Sequence, residues 1–348
     1  MLETYHLNLK PRSPCITPLQ SDTLFGHIAW AMRYVFGEAG LQDFLQEYQP
    51  GQPAPLIVSD GFQNGLLPKP FFRSLTVSRV TEVIADLAKQ QGIAVSSRQL
   101  TEILKSLKKQ QHLPIATWQR LQQDLSAENL LQVSLEALDL KATLAQKKSN
   151  GVPHAQPALV YHNTVNRVLN QVTEGFYQQE TQFYSEDFSY DVYLKSRVPE
   201  ADLRQIFNFI AISGFGRDKS TGKGQFEITL TKSARLPSVT DPNAFMVLSH
   251  YVPNPGAPKL GFYQFMTKYG RLGGDYAKAA IPDVSALQPF KKPIVMMKPG
   301  SVFFGPPSDD CGMLLGGENA PVHTHPAIRH YAWAYTFPVK AQEEDFTV

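Results

Sequence analysis

The stretch GFGRDKSTGKG, residues 214–224, places four glycines and three cations within one short loop. A helix is predicted before it, because Pro199 can open a helix and Gly214 can end it. The apolar face of that helix is formed by Leu203, Ile206, Phe207 and Ile210. The sequence FEITLT, residues 226–231, predicts a strand after the loop. The chain therefore enters the loop from a helix and leaves it into a strand, which restricts the folds that can contain it.

Two well-known glycine-rich motifs do not fit this loop. A Walker phosphate loop needs four residues between its glycines and runs from strand to helix, whereas Gly216 and Gly222 are separated by five and the element order is reversed. Gly224 also follows Lys223 where the Walker motif has Ser or Thr. The RRM octapeptide would need aromatic residues near Arg217 and Lys219. An NTP site and base stacking by the loop are therefore disfavoured.

The remaining hypothesis is that the loop follows the backbone of single-stranded RNA. Backbone N–H groups next to glycine can approach phosphates closely, while cations and hydroxyls add charge and donors. The predicted RNA-binding residues of the loop are Gly214, Gly216, Arg217, Lys219, Ser220, Thr221, Gly222, Lys223 and Gly224. The alternative is a flexible loop whose charges are only solvated.

Composition restricts the class of protein. The chain has 348 residues, 43% of them hydrophobic, which is enough for one large or two ordinary domains. A net charge of +2 means that any nucleic-acid surface must be local. The two cysteines, Cys15 and Cys311, form neither a CxxC pattern nor a disulfide framework, as expected in a reducing cytosol. Without a signal-peptide pattern or a long apolar run, the sequence predicts a cytoplasmic protein without membrane contact.

The order of predicted elements indicates an α+β fold. Alternation at Tyr5, Leu7 and Leu9 predicts a strand, and a helix capped by Ser21 or Asp22 should follow and end at Gly37. Helical periodicity over about residues 82–144 predicts an inserted helical segment, and aromatic and β-branched residues over about 160–195 predict a protruding β-hairpin. From about residue 237 a second alternating pattern begins. Both halves could be small sheets covered by helices.

Several motifs together resemble one protein family. The loop GFGRDKSTGKGQFEI is similar to that of the RAMP proteins of type III CRISPR effectors, in the Cas5-like form that caps the 5′ end of the guide RNA in the Csm complex. Four further stretches match the family in order: SDTLFGHIAWA, LLPKP, KSLKKQQHLPIATWQRL and HNTVNRV. The matches span residues 21–226, about two thirds of the chain, and Asp218 is a carboxylate within the loop.

The resemblance implies a fold and a function. The fold would be two ferredoxin-like (RRM-like) domains, residues 1–236 and 237–348. The chain would be a non-catalytic subunit of a type III-A complex, without cofactor or metal, that grips the repeat-derived 5′ tag of the crRNA. It would dock a large polymerase-like subunit and a backbone RAMP subunit. His162, Asn163 and Arg167 would join the loop in binding RNA. The alternative function is a RAMP-type endoribonuclease that processes CRISPR precursor RNA.

Isolated polar residues allow two interpretations each. His323, His325 and His330 lie close enough in sequence for a metal site but can equally be polar or RNA-facing side chains. His27 could be a general acid or base, as in repeat-cleaving ribonucleases, or a packed imidazole. Asp22 could act in RNA cleavage, although its position favours an N-cap.

Three further groups are candidate contacts with RNA or with a partner protein. Lys105, Lys108 and Lys109 share a helical face that either binds an acidic partner or is solvated. The hairpin aromatics Tyr177, Phe183 and Tyr184 either stack on bases or belong to a core. The aromatic runs GFYQQETQFY and GFYQFMTKYG predict protein interfaces, with burial in two small cores as the alternative.

Overall fold

A computed structural model describes residues 2–90, 92, 94–138, 155–166, 171–233, 236–277, 288–317 and 320–346. Only the backbone is described for residues 164–166 and 171–175. The helices are α1 (Ser21–Gln46), α2 (Val77–Gln90), α3 (Ser97–Lys109), α4 (Ile115–Leu121), α5 (Ala127–Glu136) and α6 (Glu200–Ser213). The strands are β1 (Glu3–Pro11), β2 (Leu56–Val58), β3 (Phe62–Gln63), β4 (Leu66–Pro68), β5 (His112–Pro114), β6 (Ala155–Asn166), β7 (Gln171–Tyr184), β8 (Tyr190–Ser196), β9 (Phe226–Thr231), β10 (Ala244–Val247), β11 (Gly261–Phe262), β12 (Phe265–Lys268), β13 (Ile294–Met297), β14 (Val302–Phe304), β15 (Gly312–Gly316), β16 (Arg329–Trp333) and β17 (Thr336–Val339).

The first sheet has the order β2-β8-β1-β9, with β3 also paired to β8, and all its neighbours are antiparallel. Helix α1 connects β1 to β2, and α6 connects β8 to β9. The predicted alternation in β1 is confirmed, since Tyr5, Leu7 and Leu9 are buried. Gly37 has φ of +81°, so it interrupts α1 as predicted, although helical structure resumes beyond it.

The segment between β3 and β8 contains the predicted helical insertion and the hairpin. The insertion begins earlier than predicted, at Val77, and contains α2 to α5 and β5, which pairs with β4 ahead of the insertion; residues 139–144 lie outside the described part. The hairpin consists of β6 and β7, so it spans 155–184, whereas 190–195 belong to the first sheet. The predicted end of the hairpin, about residue 195, was therefore wrong. The aromatic and β-branched residues of β8 continue the pattern of the hairpin strands, so the sequence did not separate them.

The second half repeats the strand order of the first. Its main sheet is β11-β14-β10-β17, again antiparallel throughout, so both sheets have the sequence order second, third, first, fourth. The connections differ. In the described part of residues 237–346 they contain short 3₁₀ turns and the two-stranded ribbons β12–β13 and β15–β16, but no α-helix. The expectation of a helix-covered second sheet was wrong for these residues.

The two halves share one hydrophobic core. Side chains from β1 and α1 belong to the same buried cluster as Tyr331, Trp333 and Phe337 of the second half. The ring of Phe25 stacks on that of Tyr331, with centroids 4.4 Å apart. The Tyr331 hydroxyl also accepts a hydrogen bond from the Val58 amide at 3.0 Å. Burial of this kind couples the halves, because the same apolar contacts stabilise both.

Candidate nucleic-acid interface

The glycine loop is closed on itself at both ends. Gly214 ends α6 with φ of +77°, and its N–H donates to the Ile210 carbonyl at 2.9 Å. The N–H of Phe215 donates to the Gly224 carbonyl at 2.8 Å, and the Phe215 ring is buried against His27 and Phe226. The base of the loop is thus fixed between the end of α6 and the start of β9. The predicted transition from helix to loop to strand is confirmed.

Residues 13–17, which follow β1, hold the loop in place through hydrogen bonds. The N–H of Gly224 donates to the Pro14 carbonyl at 2.9 Å, and the N–H of Arg217 donates to Thr17 Oγ1 at 2.9 Å. A Cβ atom at Gly224 would lie 1.9 Å from the Phe215 carbonyl oxygen, and one at Gly216 would lie 2.5 Å from Thr17 Cβ. These glycines are needed because the backbone passes too close to its neighbours for a side chain. Sequence reasoning missed Thr17, which carries no local signal of this contact.

His27 holds the middle of the loop as a neutral acceptor. Its Nε2 accepts a hydrogen bond from the Gly216 N–H at 3.0 Å. Burial, together with the nearby Lys219 charge, lowers the pKa of His27 to about 3. The lone pair that a general base would use is therefore already occupied. The arrangement corresponds to the packed imidazole of the two interpretations.

The tip of the loop carries its accessible groups. Arg217, Ser220, Thr221 and Gly222 are exposed, whereas Lys219 and Lys223 are partly buried and Gly214 and Gly224 are buried. Lys223 Nζ donates to Gln179 Oε1 at 3.2 Å and lies 3.8 Å from Asp218 Oδ2. Asp218 also lies 3.6 Å from the Arg217 guanidinium, so this carboxylate offsets part of the positive charge.

Most backbone amides of the loop are already used. The N–H groups of residues 214–217 and 221–224 all donate to protein acceptors. The sequence suggested that successive N–H groups of the loop bind the phosphates of an RNA backbone. They could do so only if these hydrogen bonds within the protein were broken. In the loop as it stands, the donors left to an anion are side chains of the tip, above all Arg217 and the Ser220 hydroxyl, since the Thr221 hydroxyl already donates to the Asp218 carbonyl at 2.8 Å.

The hairpin lies beside the loop and presents one face to it. Gln179, the partner of Lys223, is buried on β7, and Tyr177 is two residues away on the same face. The Tyr177 ring stacks on His162 of β6, with centroids 5.3 Å apart. Tyr177 is 45% exposed and Asn163 is exposed too. Tyr177 and His162 therefore share the hairpin face that contacts the loop, whereas Asn163 lies at the register shift that follows His162, and Arg167 lies outside the described residues.

The three hairpin aromatics have different environments. Tyr177 and Phe183 are exposed, and their alternation in β7 puts them on the same face. Tyr184 instead packs on Phe188 at 5.0 Å between ring centroids and accepts a hydrogen bond from the Tyr190 hydroxyl at 3.3 Å. Tyr177 and Phe183 thus keep part of each ring accessible, whereas Tyr184 belongs to the core, as the alternative interpretation held.

A cleft of about 1740 Å³ extends from the loop's support to the helical insertion. It begins at Thr17, which binds the loop, and passes Lys69, Arg73, Lys108 and Lys298. Lys105, Lys108 and Lys109 of α3 are exposed, but only Lys108 lines the cleft. Burial lowers the pKa of Lys69. No sequence pattern indicated this cleft, since its walls come from distant segments.

Asp22 does not cap α1, contrary to the prediction. Gln20 occupies the N-cap position without a side-chain bond, and Asp22 lies inside the first turn. Its buried carboxylate accepts a hydrogen bond from Lys268 Nζ at 3.0 Å. Burial raises the pKa of Asp22, but the charge and hydrogen bond of Lys268, together with the nearby His330 and His250, outweigh it and leave the pKa below its usual value. Asp22 therefore joins the halves, and its carboxylate is not available for RNA cleavage.

The three histidines near the C-terminus have separate partners. His323 Nε2 donates to the Gln288 carbonyl at 2.9 Å, while its Nδ1 accepts from the His325 amide at 2.9 Å. His330 is buried beside Met296 and Lys291. Among the described residues no group of three or more His, Cys, Asp or Glu side chains could hold a metal ion. Nor is any described helix long and apolar enough to cross a membrane.

No model of a known protein family matches the sequence, and no curated protein matches it significantly. Solved structures do match over nearly the whole chain. Csm4 in the crystal structure of the Csm1–Csm4 cassette with cA4 aligns with a TM-score of 0.53 and 15% identity, covering 98% of this chain and 99% of that chain. The chain has the Csm4 fold. Csm4 in the same cassette with pppApA gives a TM-score of 0.52 and 17% identity over 98% and 99% of the two chains.

A second assembly gives the same result. Csm4 in the Csm3–Csm4 subcomplex of the type III-A CRISPR-Cas interference complex aligns with a TM-score of 0.54 and 13% identity, covering 97% of this chain and 99% of that chain. The predicted resemblance is thereby confirmed for the fold. It also extends beyond the residues whose motifs carried it, since the last third of the chain aligns too.

Proposed function

We propose that this chain is the crRNA-binding subunit of a type III-A CRISPR interference complex that grips the 5′ tag of the guide. The observation that carries this proposal is a preformed glycine loop, held by His27 and Thr17, in a chain with the Csm4 fold. The structural relatives are complexes of Csm4 with Csm1 and with Csm3. By analogy the partners here are a large polymerase-like subunit and a backbone RAMP subunit, assembled in the cytoplasm.

We further propose that the chain consists of two ferredoxin-like domains, residues 1–236 and 237–348. The support is the common strand order of the two sheets. The first domain keeps both crossover helices, α1 and α6, whereas ribbons and turns replace them in the described part of the second. A shared core explains how a sheet without its own helices is covered: Phe25 of α1 packs on Tyr331 of the second half.

The proposed RNA site combines the loop tip with the adjacent hairpin face. Arg217 and the Ser220 hydroxyl would contact phosphates, and Tyr177 would offer a ring to a base, whereas the Thr221 hydroxyl would have to leave the Asp218 carbonyl first. The glycines and Lys223 would act indirectly, by holding the loop in shape. The opposite face of the hairpin exposes Leu159, Tyr161 and Phe176, which suits a protein partner because apolar surface of this kind is usually covered.

Replacing Arg217 and Lys219 with Ala should weaken the binding of single-stranded RNA. Charge-assisted hydrogen bonds contribute about 1.5–3 kcal/mol each, so a loss of about 1–3 kcal/mol is expected after solvent screening. The slope of log K against log salt should also become shallower by about 0.7 for each phosphate that the variant no longer neutralises. Fluorescence anisotropy at several salt concentrations measures both quantities.

Lys89→Ala is the matched control, since Lys89 is an exposed cation on α2, far along the chain from the loop. It should leave affinity and salt slope unchanged. Equal effects of the control and the loop variant would mean that the loop cations act on RNA only through the overall charge of the protein. A folded loop variant that binds like the wild type would remove the loop from the RNA site.

We expect no cleavage of CRISPR precursor RNA by this chain. A ribonuclease needs a base and an acid that can reach the scissile phosphate. His27 is engaged by Gly216, Asp22 is buried against Lys268, and His162 is stacked on Tyr177. Incubation with repeat-containing RNA, followed by gel analysis, tests this expectation. Specific cleavage that is lost in His27→Ala or His162→Ala would establish the endoribonuclease alternative.

A further inference from the structure

The ribbon β12–β13 and its flanking residues expose an aromatic face that the proposed RNA site does not use. Along the first strand, alternation puts Tyr263, Phe265, Thr267, Tyr269 and Arg271 on the outer side. Tyr263, Phe265 and Tyr269 are 41%, 56% and 66% exposed. Between them, Met266 and Lys268 are half-buried on the inner side, where Met266 packs on the core of the second half. We call residues 263–271 with 290–298 the aromatic ribbon.

The second strand extends the same surface. Val295 pairs with Thr267 and is 57% exposed, and Phe290 pairs with Arg271 and is 51% exposed. Residues two apart in a strand are about 6.6 Å apart, and the rings of Tyr263 and Phe265 lie 5.2 Å apart between centroids. These two rings meet edge to face, and Tyr263 itself stacks on the buried Phe303, so Phe265 and Tyr269 are the rings that this sheet surface leaves open to a base, as aromatic residues of RRM sheets are.

Charge decides which kind of molecule fits this surface. Segments 259–274 and 288–299 contain no Asp or Glu. Of their six cations, Lys268 is bound to Asp22 and Lys291 donates to the Arg329 carbonyl, which leaves Lys259, Arg271, Lys292 and Lys298 at the surface. Arg271 and Lys292 are exposed at one end of the ribbon, and Lys298 stands at the other, next to Tyr263. The nearest acid in sequence, Asp275, binds Arg33 and Tyr34. Interleaved rings and cations suit an anionic strand with flat bases, and a neutral apolar partner would leave the cations unused.

The position of the ribbon relates it to the glycine loop. Lys268, on the inner side of the ribbon, donates hydrogen bonds to Gln20, Asp22 and Thr23 at the start of α1. The glycine loop is bound to His27 of the same helix. Thr23 and His27 are one turn apart, about 6 Å along the helix axis. The ribbon and the loop are therefore held on neighbouring turns of α1, and an RNA that contacts both must pass from the outer face of the ribbon to the loop.

We infer that the aromatic ribbon is a second contact surface for single-stranded RNA, on which bases stack without sequence preference. The sequence alone had suggested a protein interface for the run 261–270, but the unbalanced positive charge favours RNA. This surface adds to the proposed loop site and does not depend on it, because the loop contributes no residue to the ribbon. The inference assigns Phe265 and Tyr269 the role of stacking on bases.

The test is the binding of oligouridylates by the full chain, with one oligonucleotide long enough to span both surfaces and one too short to do so. Phe265→Ala with Tyr269→Ala should weaken binding of the long RNA by roughly tenfold or more, since each stacked base contributes about 1–3 kcal/mol. Binding of the short RNA, held by the loop, should change little. Both side chains are exposed, so the melting temperature should stay the same.

The control is Thr267→Ala, which alters the same face without removing a ring. The loop variant Arg217→Ala with Lys219→Ala should weaken both RNA lengths, which separates a failure of the loop proposal from a failure of this one. Photo-crosslinking of the long RNA, followed by mass spectrometry, should place a crosslink on the peptide that contains residues 263–271.

Two results would overturn the inference. One is wild-type affinity of the ribbon variant for both RNA lengths, with no crosslink in residues 263–271. The other is unchanged RNA affinity combined with loss of co-elution with the large polymerase-like subunit on a sizing column, which would assign the ribbon to a protein interface.

Discussion

The Gly224→Ala variant should lower the free energy of unfolding by about 2–5 kcal/mol. The added Cβ would lie 1.9 Å from the Phe215 carbonyl oxygen, and Gly224 has φ of +68°. Overpacking of this kind costs about 1–3 kcal/mol, and an L-residue in the left-handed region costs about 1–2 kcal/mol more. The Phe215 carbonyl cannot move away easily, because the Phe215 ring is buried at the base of the loop. Urea unfolding measures the change.

Gly222→Ala separates the two causes. Gly222 has φ of +88°, but no atom lies within 4 Å of the position that a Cβ would take. This variant should therefore lose only the backbone term, about 1–2 kcal/mol. Equal losses for Gly222→Ala and Gly224→Ala would mean that the close approach to Phe215 does not fix the loop. RNA affinity should fall with stability in Gly224→Ala, since the tip depends on a closed base.

Acidification should destabilise the protein through His27. In the folded state burial lowers the pKa of His27 to about 3, against an ordinary value of 6.5. The folded state therefore binds fewer protons than the unfolded chain between these pH values. The stability that neutral His27 provides is complete above pH 6.5 and is lost as the pH falls towards 3, by about 1.4 kcal/mol per pH unit. Protonation also removes the acceptor for the Gly216 N–H, so the loop should open.

The variant His27→Gln isolates this contribution, because Gln offers an acceptor oxygen but does not titrate. Unfolding free energies of both proteins, measured from pH 7 to pH 5, should diverge as the pH falls, with the wild type losing more. His250 acts in the opposite direction. Burial lowers its pKa, but Asp60 at 2.7 Å outweighs this and raises it, so its contribution grows on acidification in both proteins. Parallel pH profiles would contradict the role assigned to His27.

The sequence predicted best where local pattern and tertiary packing agree. In β1 the alternation of Tyr5, Leu7 and Leu9 matches their burial. The helix before the loop has Pro199 at its N-cap and ends at Gly214, both as predicted. In each case residues close together in the sequence determine the element, so the local pattern is enough to predict it.

Contacts between distant residues could not be predicted in the same way. Asp22 has the sequence context of an N-cap, yet Lys268 binds it from 246 residues away. Thr17 and His27 support the loop across 200 and 189 residues. A lone threonine or histidine carries no signal of such a partner, so the sequence identified the loop but not what holds it. The sequence also predicted RNA contacts for both the exposed tip residues and the buried glycines, because a loop sequence does not show which of its residues the fold will bury.

The second half shows a different limit. The strand order of its main sheet is the same as in the first half. Strand patterns, however, do not specify how the strands are connected. The described connections use ribbons and turns, and α1 of the first half packs on Tyr331 there. That the aromatic runs form interfaces stays a prediction, and which side chains of the run 261–270 are exposed became visible only from the ribbon's two-residue alternation.

The proposed function is tested most directly by the RNA that this protein carries in its host. The tagged chain would be purified under mild salt, and the co-purifying RNA would be sequenced, in parallel with Arg217→Ala combined with Lys219→Ala. We predict short RNAs that share one 5′ sequence, derived from a CRISPR repeat, and a reduced yield from the loop variant. RNA of random sequence, or the same RNA at full yield from the variant, would contradict the assignment of the glycine loop to the 5′ tag.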